Sequence, residues 1–312
     1  MARLRAVLMF AATVIMLSSV LALGAHSWWV LDLFTHFRIQ YLASALVLLV
    51  LLAALRKPRW CMALAICIAI NAVPLIDYLP SLARSSNAGN DSTDRRIRVM
   101  TVNLSLRDFS VDPLLAIIRT ESPDVLLLVE YSPRWAERLR ELDALYPHQL
   151  KLPQRDAFGL ALLSRYELQT AKRIELGTTL AIEARVRAPA GSFVLFGVHL
   201  RPPLSRADAL ERNRQLKLLA ELRTTVAEPL MVIGDFNITP FSPFFSAWLK
   251  QTGLREVGVG RGVTVSWPAF LPILGIRIDH CAVSEEFEVI AHRRLAAFGS
   301  DHYPVLADLV LQ

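Results

Sequence analysis

"VIGDFNITPFSP", residues 232–243, ends an apolar run abruptly. Pro229 to Ile233 have the character of a buried strand, and Gly234, Asp235 and Asn237 then close it. An acid and an amide at i and i+2 on a strand end project to the same side of a sheet, where they can converge on one ligand. What they hold depends on what the neighbouring strands deliver.

Working outward, short apolar runs suited to strands recur from residue 97 onward: "IRVMTVNL", "DVLLLVE", "FGLALLS", "TLAIEARVRA", "SFVLFGVHL", "PLMVIGDFN", "IRIDHCAV" and "YPVLADLVL". Helical patterns sit between some of them. "DPLLAIIRTE" at 112–121 puts Leu114, Leu115 and Ile118 on one face. "SRADALERNRQLKLLAELRTTV" at 205–226 spaces Leu210, Leu216, Leu219, Ala220, Leu222 and Val226 near the helical period, with Ser205 as N-cap. Strands outnumber helices and short turns join several neighbours. The pattern predicts an α/β sandwich, with central sheets covered by helices. No repeat of solenoid or propeller period interrupts it.

Polar residues cluster where these strands end. Asn103 closes "RVMTVN", Glu130 closes "PDVLLLVE" and His199 nearly closes "FVLFGVH". Asp279 and His280 sit in "IRIDHCAV", and Asp301 with His302 forms "GSDHYP" before the last strand. Taken singly, each has an ordinary explanation: a turn residue, a helix N-terminal charge or a satisfied core histidine. Five strands ending this way exceed what turn chemistry requires, and the C-terminal edge of an α/β sheet is the usual ligand site. Oxygen ligands without thiolates suit Mg²⁺, which binds one or two carboxylates and keeps its other positions for water and substrate phosphate. An imidazole with an orienting carboxylate handles protons, while amides and a further histidine donate to phosphate oxygens. Metal-assisted phosphoester hydrolysis uses all of these groups.

The ordered series "TVNL", "PDVLLLVEYSP", "GLALLSRYEL", "GVHLRPP", "GDFNITP", "IRIDHCAVS" and "SDHYPVLADL" resembles the endonuclease/exonuclease/phosphatase superfamily, which includes pancreatic deoxyribonuclease, apurinic endonucleases, neutral sphingomyelinases and inositol polyphosphate 5-phosphatases. The resemblance covers roughly residues 95–312 and rests chiefly on "GDFN" and "SDHYPV" in this order, with Glu130 upstream. It implies a four-layer α/β sandwich, deoxyribonuclease-like, with the site at one edge of the paired sheets. It further implies Glu130 as principal metal carboxylate, Asn103 as the amide beside it and Asp301 as a second acid near the metal. Asp235 would orient or deprotonate the attacking water, and Asn237 would hold the phosphate or that water. His302 corresponds to the active-site imidazole, Asp279 to its orienting carboxylate and His199 to the histidine at the scissile phosphate. The implied cofactor is Mg²⁺, with Mn²⁺ as substitute. Arg165 and Arg201 are candidate phosphate contacts. His280 stands where many relatives have an aromatic residue, and either packs or joins the site.

The composition divides the chain. Apolar residues make up 54% and charged residues 20% of the 312 residues, and the long apolar runs fall in the first 84. Those 84 residues carry seven Arg and Lys against Asp32 and Asp77, a surplus of five out of the total net charge of +6. The remaining part is near neutral and lacks the basic insertions that grip duplex DNA. Cys61 and Cys67 lie in an apolar run and Cys281 stands alone, which excludes a disulfide framework within the C-terminal part.

Three uncharged runs, 6–25, 39–55 and 60–76, are about long enough to cross a bilayer. The first, after "MARLR", also reads as a cleaved signal peptide, but two further runs follow at once and favour a retained anchor. Arg3, Arg5 and the "RKPR" at 56–59 belong on the cytoplasmic side by the positive-inside rule. Three spans then place the rest outside the cytoplasm: in a bacterium, an inner-membrane protein with a periplasmic domain. The expected organisation is an anchor at 1–83, a polar linker at 84–96 and a catalytic domain at 97–312. The expected partners are the lipid bilayer and a phosphoester substrate, whether lipid headgroup, nucleic acid or small ester. Two other readings compete: an inactive member of the fold acting as an envelope binding or scaffold module, and a transport or sensor component. The second has little support, because Asn71 is the single strongly polar residue in the span centres.

Overall fold

The computed structural model describes residues 2–80, 95–107 and 109–312. Most of the expected linker, 84–94, lies outside the described residues. The described C-terminal part holds twelve strands: β1 (Arg96–Asn103), β2 (Val125–Val129), β3 (His148–Leu152), β4 (Leu160–Ser164), β5 (Glu167–Leu176), β6 (Thr179–Ala188), β7 (Gly191–His199), β8 (Leu230–Asp235), β9 (Arg255–Glu256), β10 (Asp279–Val283), β11 (Phe287–Arg294) and β12 (Val305–Leu311). They form two six-stranded mixed sheets, ordered β11-β12-β1-β2-β4-β3 and β5-β6-β7-β8-β10-β9.

The eight apolar runs of the sequence are the eight inner strands. The four strands it hid, β3, β5, β9 and β11, are the four sheet edges. Edge strands face water along one side and mix polar with apolar residues, which erases the signal of an inner strand.

Three apolar layers hold the fold. Val99, Leu127, Leu195 and Ile233 pack between the two sheets. The outer face of the first sheet carries Leu126 and Leu128 against the helices Asp112–Glu121 and Pro133–Arg138, through Leu114, Leu115, Ile118 and Trp135. The outer face of the second carries Leu230 and Val232 against the helices Arg206–Thr224 and Pro243–Thr252, through Leu216, Leu219, Phe245 and Trp248. This is the four-layer sandwich expected from the sequence. Burying one such large side chain contributes about 1.5–3 kcal/mol, so the layers fix the strand register strongly. Ser205 caps its helix as expected, accepting from Asp208 N at 3.2 Å. Leu210 departs from the expected buried stripe and is 56% exposed.

Strand alternation decides which residues reach the site. In β8, Met231 and Ile233 point between the sheets and Leu230 and Val232 point to the helices, so Asp235 continues the inter-sheet row. The same parity puts Asn103 after Ile97 and Val99, and His199 after Phe193 and Leu195. β1 pairs with β2 in parallel and β7 with β8 in parallel, with His199 opposite Asp235. Both pairs therefore end on the same edge. β10 runs antiparallel to β8, so Asp279 lies opposite Asp235 at the start of its strand, not at the C-terminal end as the sequence pattern suggested. Gly234 permits the close approach of β7: its φ is +141° and a Cβ there would stand 1.9 Å from Val198 O.

The N-terminal segments Ala2–Gly24, Trp29–Ala54 and Pro58–Tyr78 are each long and apolar enough to cross a membrane. They pack on one another through Ala12, Ala45, Leu52 and Leu64. Asn71 joins two of them, donating to Ser19 Oγ at 2.8 Å. One end of this bundle is docked on the sandwich. Arg212 and Asp32, each with a side chain about 1% exposed, form an ion pair at 2.7 Å. Asp32 also accepts from Ser242 Oγ at 2.6 Å, and His36 Nδ1 meets Thr239 Oγ1 at 2.9 Å. Gly260 N and Gly262 N donate to Asp77 O and Tyr78 O, and Tyr78 stacks edge-on against Phe241. A sequence reading that took the N-terminal part as a tether missed this contact, because Asp32 and Arg212 look like ordinary surface charges until they are brought together across 180 residues.

Arg212→Leu leaves the Asp32 carboxylate buried and unpaired, and should destabilise the full-length protein by about 3–5 kcal/mol. Pairing it with Asp32→Leu should recover much of the loss, read from thermal unfolding of the detergent-solubilised chain.

Candidate active site

The inter-sheet rows end in one polar cleft. Asn103, Asp235 and Asp279 are each 1% exposed, His199 3% and His302 5%. Asp235 sits at the centre: its Oδ2 accepts from Asn103 Nδ2 at 3.1 Å and lies 3.6 Å from His199 Nε2 and 3.8 Å from His302 Nε2. Its Oδ1 accepts from Asn237 N at 2.9 Å. Asn103 Nδ2 also reaches Glu130 Oε1 at 3.2 Å, while its oxygen accepts from Ser105 N at 2.9 Å. As placed here, Asn103 is a donor that spaces two carboxylates.

His302 Nδ1 meets Asp279 Oδ2 at 2.9 Å. A carboxylate only accepts, so Nδ1 carries the proton and Nε2 is aimed at Asp235. Asp301, the neighbouring acid, accepts from Trp267 Nε1 at 3.4 Å. Asn237 donates its side-chain amide to Leu200 O at 2.9 Å, which ties the ends of β8 and β7 together. Glu130 and Asn237 hold φ of +59° and +50°, and Glu130 in particular occupies backbone space that side chains rarely adopt. Strain of this kind, about 1–3 kcal/mol per residue, concentrates at functional sites.

The electrostatics follow from crowding acids in a dry cleft. Burial, then Asp279 beside it, pushes the Asp235 carboxyl up to about 8. Burial raises Glu130 as well, against the pull of Asn103 and His302. For His302, burial opposes the charged form, but Asp279, Asp235 and Asp301 together raise it to about 9. His199 is lowered to about 4 by burial. Its Nδ1 donates to Ala157 O at 2.9 Å, so the neutral ring turns a lone pair toward Asp235.

A set of buried carboxylates so raised is short of positive charge, and a hard divalent cation fits it. Asp235, Asp279 and His302 present ligand atoms within 4.8 Å of one another. Asp279 and His302 already satisfy each other, however, whereas Glu130 is half-buried and open to the cleft. Glu130 can therefore offer a further carboxylate to a cation in the cleft.

Two other sequence candidates, Arg165 and His280, fall elsewhere. Arg165 stands at the far end of β4, which runs antiparallel to β2. Its guanidinium donates to Ser122 O and lies over Tyr146, so it is no part of this cleft. His280 has the opposite strand parity to Asp279 and packs against Phe236 and Phe245, with Nε2 on Ile238 O. Arg201 lies over Phe158, whose ring meets His199 at 5.0 Å. Phe158 and Trp267 are wall residues that sequence reasoning missed, because neither follows a strand.

Two stacked mixed sheets with an acid, amide and imidazole cleft at one edge define the architecture of a known hydrolase class. A model described as the Endonuclease/Exonuclease/phosphatase family matches residues 100–302, and the chain belongs to that family. Among solved structures it is similar to an endonuclease/exonuclease/phosphatase from Beutenbergia cavernae, at 24% identity and TM-score 0.56 over 70% of this chain and 72% of that one. It is similar to the human Nocturnin catalytic domain with bound sulfate, at 19% identity and TM-score 0.56 over 70% and 94%. It also resembles a mannosyl-6-phosphatase from Bacteroides thetaiotaomicron, at 17% identity and TM-score 0.55 over 69% and 100%. These identities speak to fold alone. No curated protein matched the chain at the sequence level. Members of the family are mostly metal-dependent phosphoester hydrolases.

Asp279→Asn removes the charge that holds His302 in its protonated form. Turnover of a model phosphoester should fall on the order of 10²–10⁴-fold, and the alkaline limb of its pH profile should move to lower pH. A fall with no such movement would indicate a merely structural role for Asp279.

Proposed function

We propose that the chain is a membrane-anchored, Mg²⁺-dependent phosphoesterase, able to use Mn²⁺, whose catalytic domain lies outside the cytoplasm. The observation that carries the reading is the Asp279–His302 pair aimed at Asp235, with Glu130 and Asn103 in the same buried cleft. Glu130 holds the cation, with Asp301 as second acid. When bound, the cation neutralises phosphate charge and polarises the ester. Asn103 sets the spacing of Glu130 and Asp235.

Asp235 takes the proton of the attacking water, a role suited to a carboxyl raised toward neutrality. His302, protonated and oriented by Asp279, donates to the phosphate oxygens or the leaving group as charge develops there. Asn237, held by Leu200 O, fixes the loop and offers its amide to water or phosphate. His199 is neutral without substrate, and a phosphate against Nε2 would favour its charged form. Arg201 stands beside it as a phosphate contact. The domain on the far side of the bilayer follows from the basic residues at 3, 5 and 56–59 and three spans.

Chelation should abolish hydrolysis of a phosphoester panel, and Mg²⁺ or Mn²⁺ should restore it. Glu130→Gln should weaken cation affinity, by calorimetry, more than the roughly 10–100-fold typical of losing an outer partner of a ligand. Undiminished turnover in folded Asp235→Ala or His302→Ala variants would overturn the site assignment. A C-terminal periplasmic reporter fusion should be active in a bacterial host, and an active cytoplasmic reporter there would reverse the topology.

A further inference from the structure

The sequence from 262 to 276, "GVTVSWPAFLPILGI", contains no charged residue. It wraps the active-site edge. Ser266 Oγ accepts from Asp279 N at 3.1 Å, Trp267 Nε1 reaches Asp301, and Ala269 N donates to Asp301 O at 2.7 Å. Between these contacts and Gly275 the loop projects Phe270, Leu271, Ile273 and Leu274, which are 68%, 41%, 79% and 50% exposed. Ordinary solvent does not favour four large apolar side chains within five positions.

The base of this loop is tied to the N-terminal bundle. Gln40 Nε2 donates to Gly275 O at 2.7 Å, and Gln40 lies at the start of the uncharged run 39–55. That hydrogen bond sets the loop beside the level at which a membrane span begins. The exposed apolar residues of the sandwich point the same way. Apart from the loop, only Leu106, Leu145, Leu204 and Leu210 are large, apolar and exposed among the described residues after 94. Leu106 and Leu204 stand on the loops leaving Asn103 and His199, two of the strand ends that supply the cleft, and Leu210 faces a cavity shared with Trp28 and Trp29. Apart from Leu145, the exposed apolar residues therefore fall on the loop, at strand ends that supply the cleft, or beside the bundle.

We propose that the loop 268–275 is a wedge seated in the bilayer leaflet that the N-terminal helices enter, and that the cleft acts on the phosphoester of a lipid in that same leaflet. The bilayer is the occupant because the loop continues the surface of the spans through Gln40, carries no charge, and borders the reactive groups through Asp301. A rim held at the headgroup level receives a lipid phosphate without lifting the acyl chains into water. A water-borne ester gains nothing from that placement. The substrate class rests on the phosphoesterase reading above; the position of the wedge does not.

The test uses the full chain in nanodiscs of phosphatidylcholine with phosphatidylglycerol. Ile273→Cys carrying an environment-sensitive fluorophore should be quenched by lipids spin-labelled near the top of the acyl chain, and label without such quenching would overturn the wedge. Phe270→Ser with Ile273→Ser should cut Mg²⁺-dependent cleavage of the nanodisc phospholipid at least tenfold and leave hydrolysis of bis(p-nitrophenyl) phosphate unchanged. Equal loss on both substrates, or turnover of the soluble ester with none of the lipid, would overturn the substrate assignment. A wild-type chain inactive on every ester would instead overturn the phosphoesterase reading, with the quenching still reporting where the loop lies.

Discussion

A buried carboxylate must be compensated, and the arrangement of the cleft follows from that requirement. The two sheets stack through rows of Val, Leu, Ile and Phe, and at one edge the rows of β1, β7 and β8 end in Asn103, His199 and Asp235. Asp235, Asp279 and Asn103 are as buried as the aliphatic residues before them. The bonds from Asn103 to Asp235 and from His302 to Asp279 satisfy geometry but leave an excess of negative charge, seen in the raised Asp235 and Glu130 carboxyls. A divalent cation, of the kind that enzymes of this family usually use, would remove that excess.

Much of this was legible in the sequence because strand parity is legible. The apolar runs marked the eight inner strands and the polar residues at their ends; once the inner face is known, counting by twos from Ile233 to Asp235, or from Val99 to Asn103, puts the polar residue on it. The same count separates Asp279 from His280: one residue faces the cleft, and the next packs with Phe236 and Phe245. Where the sequence misled, direction rather than parity was at fault. "IRIDHCAV" reads as a continuous strand with its acid inside, yet the strand begins at Asp279. Arg165 follows its strand as the acids follow theirs, but β4 is reversed and carries it to the opposite edge. Neither direction nor edge position leaves a periodic mark in a chain.

The second thing the sequence hid is the union of bundle and sandwich. The contacts are polar and long-range, and no local pattern foretells that Asp32 meets Arg212 and Ser242. Their location matters for chemistry. Thr239, Phe241 and Ser242 lie on the loop that continues from Asp235 and Asn237, and Arg212 also reaches Asn237 O at 3.4 Å. The segment that carries Asp235 is therefore gripped from behind by the helices. A rigid grip on this loop lets reactive atoms keep their spacing without depending on the backbone of the loop alone.

The separation of Asp32 from Arg212 also sets a timetable for biogenesis. Translation at about 5–20 residues per second puts roughly ten to forty seconds between the two, since 180 positions divide them. During that interval the carboxylate has neither its arginine nor Ser242, and water must serve in their place. The N-terminal helices can enter the bilayer early, but the seam between them and the sandwich closes only after Arg212 and Ser242 have been made.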